Sequence, residues 1–334
     1  MPRQSGADEL AQWAAARAPG LLARAEAEAV AVLRDALVAA AREHTVAAPP
    51  RRAQTEPRPQ PEQTAEEGEL LWAYCVLRAG DRRPTDLRGV APAFAVEPVE
   101  AAGLVALVSK VPRAEFGAEP LRRNLNDIAW LERVARAHEA VLDKTLAEAT
   151  LVPLRLCTVF EDRKSVRRML GNERESLTAA LDALEGRQEW GVKLLVETDR
   201  LEDQARARVG DTSDVGDSTG GPGGSYMLRR RLDRQVREVA RSLMAELADD
   251  VRTALERSVL EVVTHPPQNR ELSGHEGEML LNAACLVDSS RVDALRELGT
   301  ALEDRHHELG ARVELTGPWP PYNFVPHGGA PALA

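Results

Sequence analysis

Residues 47–69 (AAPPRRAQTEPRPQPEQTAEEGE) contain five prolines and almost no large apolar side chain. Such a stretch has nothing to bury, and its prolines exclude helix interiors and central strands, so it is expected to be an extended, solvated linker. The chain therefore cannot be one continuous body. The segment ahead of the linker reads as helix over residues 7–43, with Leu22, Ala25, Ala29, Leu33, Ala36 and Ala40 at spacings of three and four and a break at Pro19-Gly20. This gives a helical extension (1–46), a linker (47–69) and a body that starts at Leu70.

In the body, LLWAYCVLR (70–78) is nearly all apolar and is expected to be a strand buried on both faces. FAVEPV (94–99) and GLVALVSKV (103–111) read as two strands joined at Ala101-Ala102-Gly103. From Asn124 to Ala149 the period becomes helical, with Leu121, Leu125, Ile128, Leu131, Ala135, His138, Leu142 and Leu146 on one face. LVPLRLCTVF (151–160) returns to strand, and Asp162 is expected to cap a helix that continues toward Leu184 with a break near Gly171. WGVKLLVET (190–198) alternates as a strand does, and 209–225 is a Gly/Ser/Asp-rich loop. A long Arg-rich helix is expected from Tyr226 to about Leu255, then strands at 258–264 and 279–288. Ser289 or Ser290 is expected to cap a helix stopped by Gly310, and 311–317 is the last strand.

The fold class is α+β in two domains: a mixed α/β domain over 70–188 and, over 189–317, a βαββαβ order of the modified ferredoxin-like kind. A tail, 318–334, follows. The 334 residues are enough for two cores without disulfide or metal staples. Cys75, Cys157 and Cys285 lie far apart in apolar runs and read as small buried hydrophobes of a reducing compartment. The N-terminus lacks a signal-peptide pattern, and no apolar run approaches the length of a membrane span, so the cytoplasm is the expected location. A net charge of −10 argues against wholesale binding to nucleic acid or anionic membrane.

Motifs for phosphate, dinucleotide or zinc binding and for nucleophilic catalysis are not found, and no cofactor or metal is expected. The Gly220–Gly224 cluster precedes a helix but follows no strand, and reads as linker. His306 and His307 are adjacent on a helix, about 100° apart, and unsuited to share one ion. His265 and His275 receive no role, and His138 on the apolar stripe reads as a hydrogen-bonded core residue. Asp249 and Asp250 receive no acid–base role. Arg229, Arg230, Arg231 and Arg234, continued by Arg237 and Arg241, form the basic concentration of the chain. It is either a solvated helix face or a charged interaction face.

GPWPPYNF (317–324) stands apart. Trp319, Tyr322 and Phe324 are three of 12 aromatic residues, and Pro318, Pro320 and Pro321 keep the segment extended. Two readings stay open for Trp319, Pro320, Pro321, Tyr322 and Phe324: an interdomain latch that folds back and seals the chain's own interdomain groove, or a docking segment for a partner.

LRLCTVFEDRKSVRRML, EWGVKLLVE and LTGPWPPYNFV together resemble the gas vesicle protein F/L family (GvpF/GvpL), over about Leu70 to Val325. The resemblance implies a two-domain α+β architecture with a modified ferredoxin-like second domain. It also implies an accessory or minor structural role in gas vesicle assembly, with association with the small hydrophobic shell protein and with other gas vesicle accessory proteins. It implies no enzymatic activity and places the chain at the gas vesicle, in its surface or during assembly; the charge argument above leaves nucleic acid and membrane out of the expected partners. The extension, the linker and the 209–225 insertion inherit no role. A small-molecule-binding or enzymatic ferredoxin-like protein is the alternative. An RNA-binding reading lacks the aromatic strands it needs in SVLEVVT and MLLNAACLV.

Overall fold

The structure is a computed structural model and describes residues 68–212, 222–266 and 277–325; for 211, 212 and 222–228 it describes the backbone alone. The expected N-terminal helix, the linker up to residue 67 and most of the Gly/Ser-rich insertion lie outside the described residues. The described chain is mixed α+β with two antiparallel sheets, and it divides into one unit ending at Ala183 and a second over Leu184–Phe324.

In the first unit β1 (Glu69–Arg78) is central, and Leu70 through Leu77 are all buried, as its unbroken apolar run requires. β1 pairs antiparallel with β3 (Leu104–Pro112), which pairs with the edge strand β2 (Val96–Ala101). The β2–β3 hairpin closes through two residues at positive φ, Ala102 at 53° and Gly103 at 80°. A two-residue loop with both residues left-handed matches the twist of the flanking strands. On its other side β1 pairs with β4 (Val152–Pro153) and β5 (Val159–Phe160), two short strands where one continuous strand was expected over 151–160. Pro153 lacks a ladder donor and Cys157 turns left-handed at φ 67°, and together they break the strand.

The helix expected over 124–149 is also divided. Short helices α1 (Arg113–Phe116) and α2 (Ala118–Asn124) precede α3 (Ile128–Leu146), which starts where the Asp127 carboxylate accepts the amides of Ala129 and Trp130. At 19 residues α3 is about 28 Å long. Asp162 caps α4 (Arg163–Asn172) by accepting the amide of Ser165, and α5 (Arg174–Leu184) follows after an interruption at Glu173.

The second unit holds β6 (Arg187–Val196), α6 (Thr198–Thr212), α7 (Pro222–Ser258), β7 (Glu261–His265), β8 (Glu278–Asp288), α8 (Val292–Arg305) and β9 (Ala311–Trp319). The sheet order is β7-β8-β6-β9, with every neighbouring pair antiparallel. Trp190, Val192, Leu194 and Val196 of β6 share a core with Leu201 and Ala205 of α6, Leu243, Leu247 and Val251 of α7, and Leu295 and Leu302 of α8. Three expectations are corrected here. α6 occupies a stretch to which no helix was assigned, and α6 and α7 take residues 209–212 and 222–225 of the expected loop into helix. The cap near residue 289 is Asp288, whose carboxylate accepts the amide of Ser290, with a short 3-10 turn before α8. The last strand runs on to Trp319, two residues into the segment read as tail.

Candidate docking surfaces

The proline- and aromatic-rich segment is built into the second unit. Pro318 sits in β9, an edge strand, where its missing N–H costs no pairing inside the sheet. Gly317 precedes it at φ 145°, and a Cβ there would lie 3.0 Å from the Glu189 carbonyl oxygen and 3.1 Å from the Trp190 ring. Trp319 is buried, pairs in register with Glu189 and donates its indole N–H to Thr316 Oγ1 at 3.2 Å. Pro320 and Pro321 are buried, while Tyr322 and Phe324 are half-buried. This segment is fastened by Glu189, itself 2% exposed. Its carboxylate accepts the backbone N–H of Asn323 at 3.0 Å and the side-chain amide of Asn323 at 2.7 Å. Sequence reasoning singled out the aromatics and missed this clasp. A carboxylate that faces neither a cation nor a helix start in the sequence carries no signal of its partner.

The arginine run lies on the first half of α7. Arg229, Arg230, Arg231 and Arg234 are exposed, as are Arg237 and Arg241, while Leu232, Val236 and Val239 on the same stretch are half-buried. Val236 and Val239 pack on the core of the unit.

Sheet borders are the other docking surfaces in an α+β chain, because they carry unpaired backbone groups. The borders differ here. On β2, Pro98 has no N–H, and its carbonyl accepts Arg163 Nη1 at 3.1 Å, with Arg163 also paired to Glu97. β4 and β5 have two residues each. On β9, the amide of Val313 is taken by Glu303 Oε1 of α8 at 2.7 Å, and Pro318 removes a second donor. β7 has no second neighbour among the described residues. Beside it stands Leu260, 51% exposed and one of two large exposed hydrophobic residues described, the other being Ile128.

The remaining polar clusters are occupied in holding the fold. His138 is fully buried and accepts the Trp72 indole N–H at Nδ1, 3.0 Å away, with its ring stacked on Tyr74 at 5.3 Å. The Tyr74 hydroxyl accepts the amide of Val90 at 2.8 Å and bonds Ser109 Oγ at 2.7 Å; burial pushes its pKa up to about 12. His306 Nε2 lies 2.8 Å from Asp250, which Arg305 also contacts, and His307 turns away to the carbonyl of Asp304. These two histidines are thus divided between different partners. Among the described residues no three His, Cys, Asp or Glu side chains converge on a metal geometry. The three cysteines are buried and unbridged, and burial drives the thiols of Cys75 and Cys285 well above the range of a reactive thiolate.

Comparison with known proteins places these features in a wider group. The family model described as gas vesicle synthesis protein GvpL/GvpF matches residues 70–326. The chain is 38% identical over 222 residues to gas vesicle protein L of a Streptomyces species, covering 66% of this chain and 80% of that protein. It is 29% identical over 211 residues to gas vesicle protein L1 of Halobacterium salinarum, covering 61% and 74%. The crystal structure of gas vesicle protein GvpF from an Anabaena species superposes with a TM-score of 0.53 at 19% identity, covering 77% of this chain and 96% of that one.

Proposed function

Since the chain belongs to the GvpL/GvpF family of gas vesicle synthesis proteins, we propose that it serves gas vesicle assembly by binding the small hydrophobic shell protein non-covalently, without catalysis. The family supports the assembly role in general. The shell contact is our reading, and the observation that carries it is the contrast among the sheet borders: β7, flanked by the exposed Leu260, is open among the described residues, while the others are capped or cut short. A shell subunit with apolar, strand-forming surface is an aggregation hazard before assembly. An open strand edge offers it main-chain hydrogen bonds, and Leu260 offers apolar contact. The same reading places the chain in the cytoplasm at the growing vesicle, alongside other accessory proteins.

We read the second unit as a modified ferredoxin-like domain. Its order β7-β8-β6-β9 with antiparallel neighbours supports this, and α6 ahead of α7 is the modification. The break between Ala183 and Leu184 supports a domain division near 188/189. The segment from Pro318 to Phe324 acts as an internal latch, a reading supported by the buried Trp319 and the Glu189–Asn323 clasp.

Co-purification with the shell protein tests the contact. Adjacent residues of a strand turn their N–H groups to opposite sides, so Val262→Pro and Val263→Pro differ: one removes a donor from the β8 ladder, the other from the open border. The variant that keeps the wild-type melting temperature is expected to lose shell-protein binding. Wild-type binding by that stable variant, or no binding by the wild-type chain, overturns the proposal.

A further inference from the structure

The long helix α7 carries a feature that neither the core nor the β7 border uses. Arg230, Arg234, Arg237 and Arg241 follow one another at spacings of four, three and four, and all four are exposed. At 100° per residue they fall within about 60° of one another, on the side of the helix opposite Leu232, Val236, Val239 and Leu243. Leu243 is buried and Val236 and Val239 pack on the core, so this opposite side faces away from the unit. The two acidic residues of the stretch, Asp233 and Glu238, lie on the flanks of the row and not in it. Arg229 falls on the side of Leu232, and Arg231 on a flank. The basic run is thereby sorted into a straight row of four guanidinium groups about 16 Å long, at 1.5 Å of rise per residue. On a chain of net charge −10 this is a local reversal of sign.

We infer that this row is a docking surface for an acidic helix of another protein. The argument is charge complementarity combined with pitch. Carboxylates at the same spacing on a second helix repeat with the same rise, so three of them can face Arg234, Arg237 and Arg241 while a fourth comes to lie beside Arg230. Two copies of the row repel, which excludes pairing of this face with itself. A nucleic acid strand is the lesser fit. The stretch from Arg229 to Ser258 holds no aromatic residue on which a base can stack, and the net charge of the chain opposes a polyanion outside the row.

The test uses the full chain and a synthetic helix-forming peptide of about 18 residues, with Glu at positions 4, 8, 11 and 15, compared with a peptide of identical composition in which the Glu residues are spread around the helix. Binding is followed by fluorescence anisotropy. The matched peptide is expected to bind at least about tenfold more tightly than the scrambled one, and to weaken as salt rises from about 50 to about 300 mM. The quadruple variant Arg230→Gln, Arg234→Gln, Arg237→Gln, Arg241→Gln is expected to keep its melting temperature within about 2 °C and to lose the difference between the peptides. Should that variant fail to fold, Arg234→Glu with Arg237→Glu is expected to reverse the preference toward a peptide carrying Lys at the two facing positions. Equal binding of the two peptides overturns the proposal. So does tighter binding of poly(U) RNA or of vesicles containing one quarter phosphatidylserine than of the matched peptide. No shell protein enters this experiment, so its outcome is independent of the β7 contact.

Discussion

Glu189 is a carboxylate almost entirely out of water, and Asn323 gives it two donors. Glu189→Gln retains the shape but turns one acceptor into an amide that faces a donor. A buried donor left unmatched costs about 1–3 kcal/mol, so the variant is expected to unfold at lower urea with that loss; unchanged stability would show the clasp to be idle. Asp250 provides a pH signature. Its pKa is held below the ordinary 3.8, first by the hydrogen bond to His306 and then by Arg305. A depressed carboxyl pKa stabilises the folded state above the unfolded value, and that stabilisation is lost as pH falls through the folded value. The pair is 43% exposed on the Asp side, so solvent screening limits the effect. Asp250→Asn is therefore expected to cost about 0.5–1 kcal/mol at pH 7. Its melting temperature should converge on that of the wild type only as pH falls below 3.8 and through the lower folded value.

At the level of elements, the β2–β3 hairpin places an alanine where left-handed backbone is required. Ala102 at φ 53° carries a Cβ penalty of about 1 kcal/mol, part of which glycine gives back through its greater freedom in the unfolded chain. Ala102→Gly is expected to raise stability by about 0.5 kcal/mol, read as a higher melting temperature; a lower one would show that the turn is not strained. The strands were legible because apolar runs such as Leu70–Leu77 state their own burial. The helix over Thr198–Thr212 was hidden by its charge: Asp199, Arg200, Glu202, Asp203, Arg206 and Arg208 dominate its composition. Its signal was present in Leu201, Ala205 and Val209, buried at a spacing of four. The broken strand over 151–160 depends on a left-handed Cys157, a conformation that no side-chain pattern announces. In the candidate surfaces, composition revealed the aromatic segment and the arginines. It did not reveal Glu189, because its bonds to Asn323 follow from where β6 and the segment after β9 come to lie.

For the whole molecule, the family match begins at residue 70, and the described body begins at Gly68, whose carbonyl accepts the amide of Arg113. Glu69 of β1 is paired with Lys110 of β3. Removing residues 1–66 leaves these contacts in place, and the truncated chain is expected to melt within about 2 °C of the full chain. A larger drop would assign the extension a share in the fold. The capped borders have a consequence for stoichiometry. A molecule with sticky edges on both flanks of its sheets relays association onward and grows into a fibre. Here the Arg163 bond to Pro98 and the Glu303 bond to Val313 close off such relays, leaving β7 as the one open border among the described residues. On the proposal made for β7, a molecule with one valence would end whatever row it joins, a stopper that holds one strand-forming neighbour and, through its described borders, recruits no second.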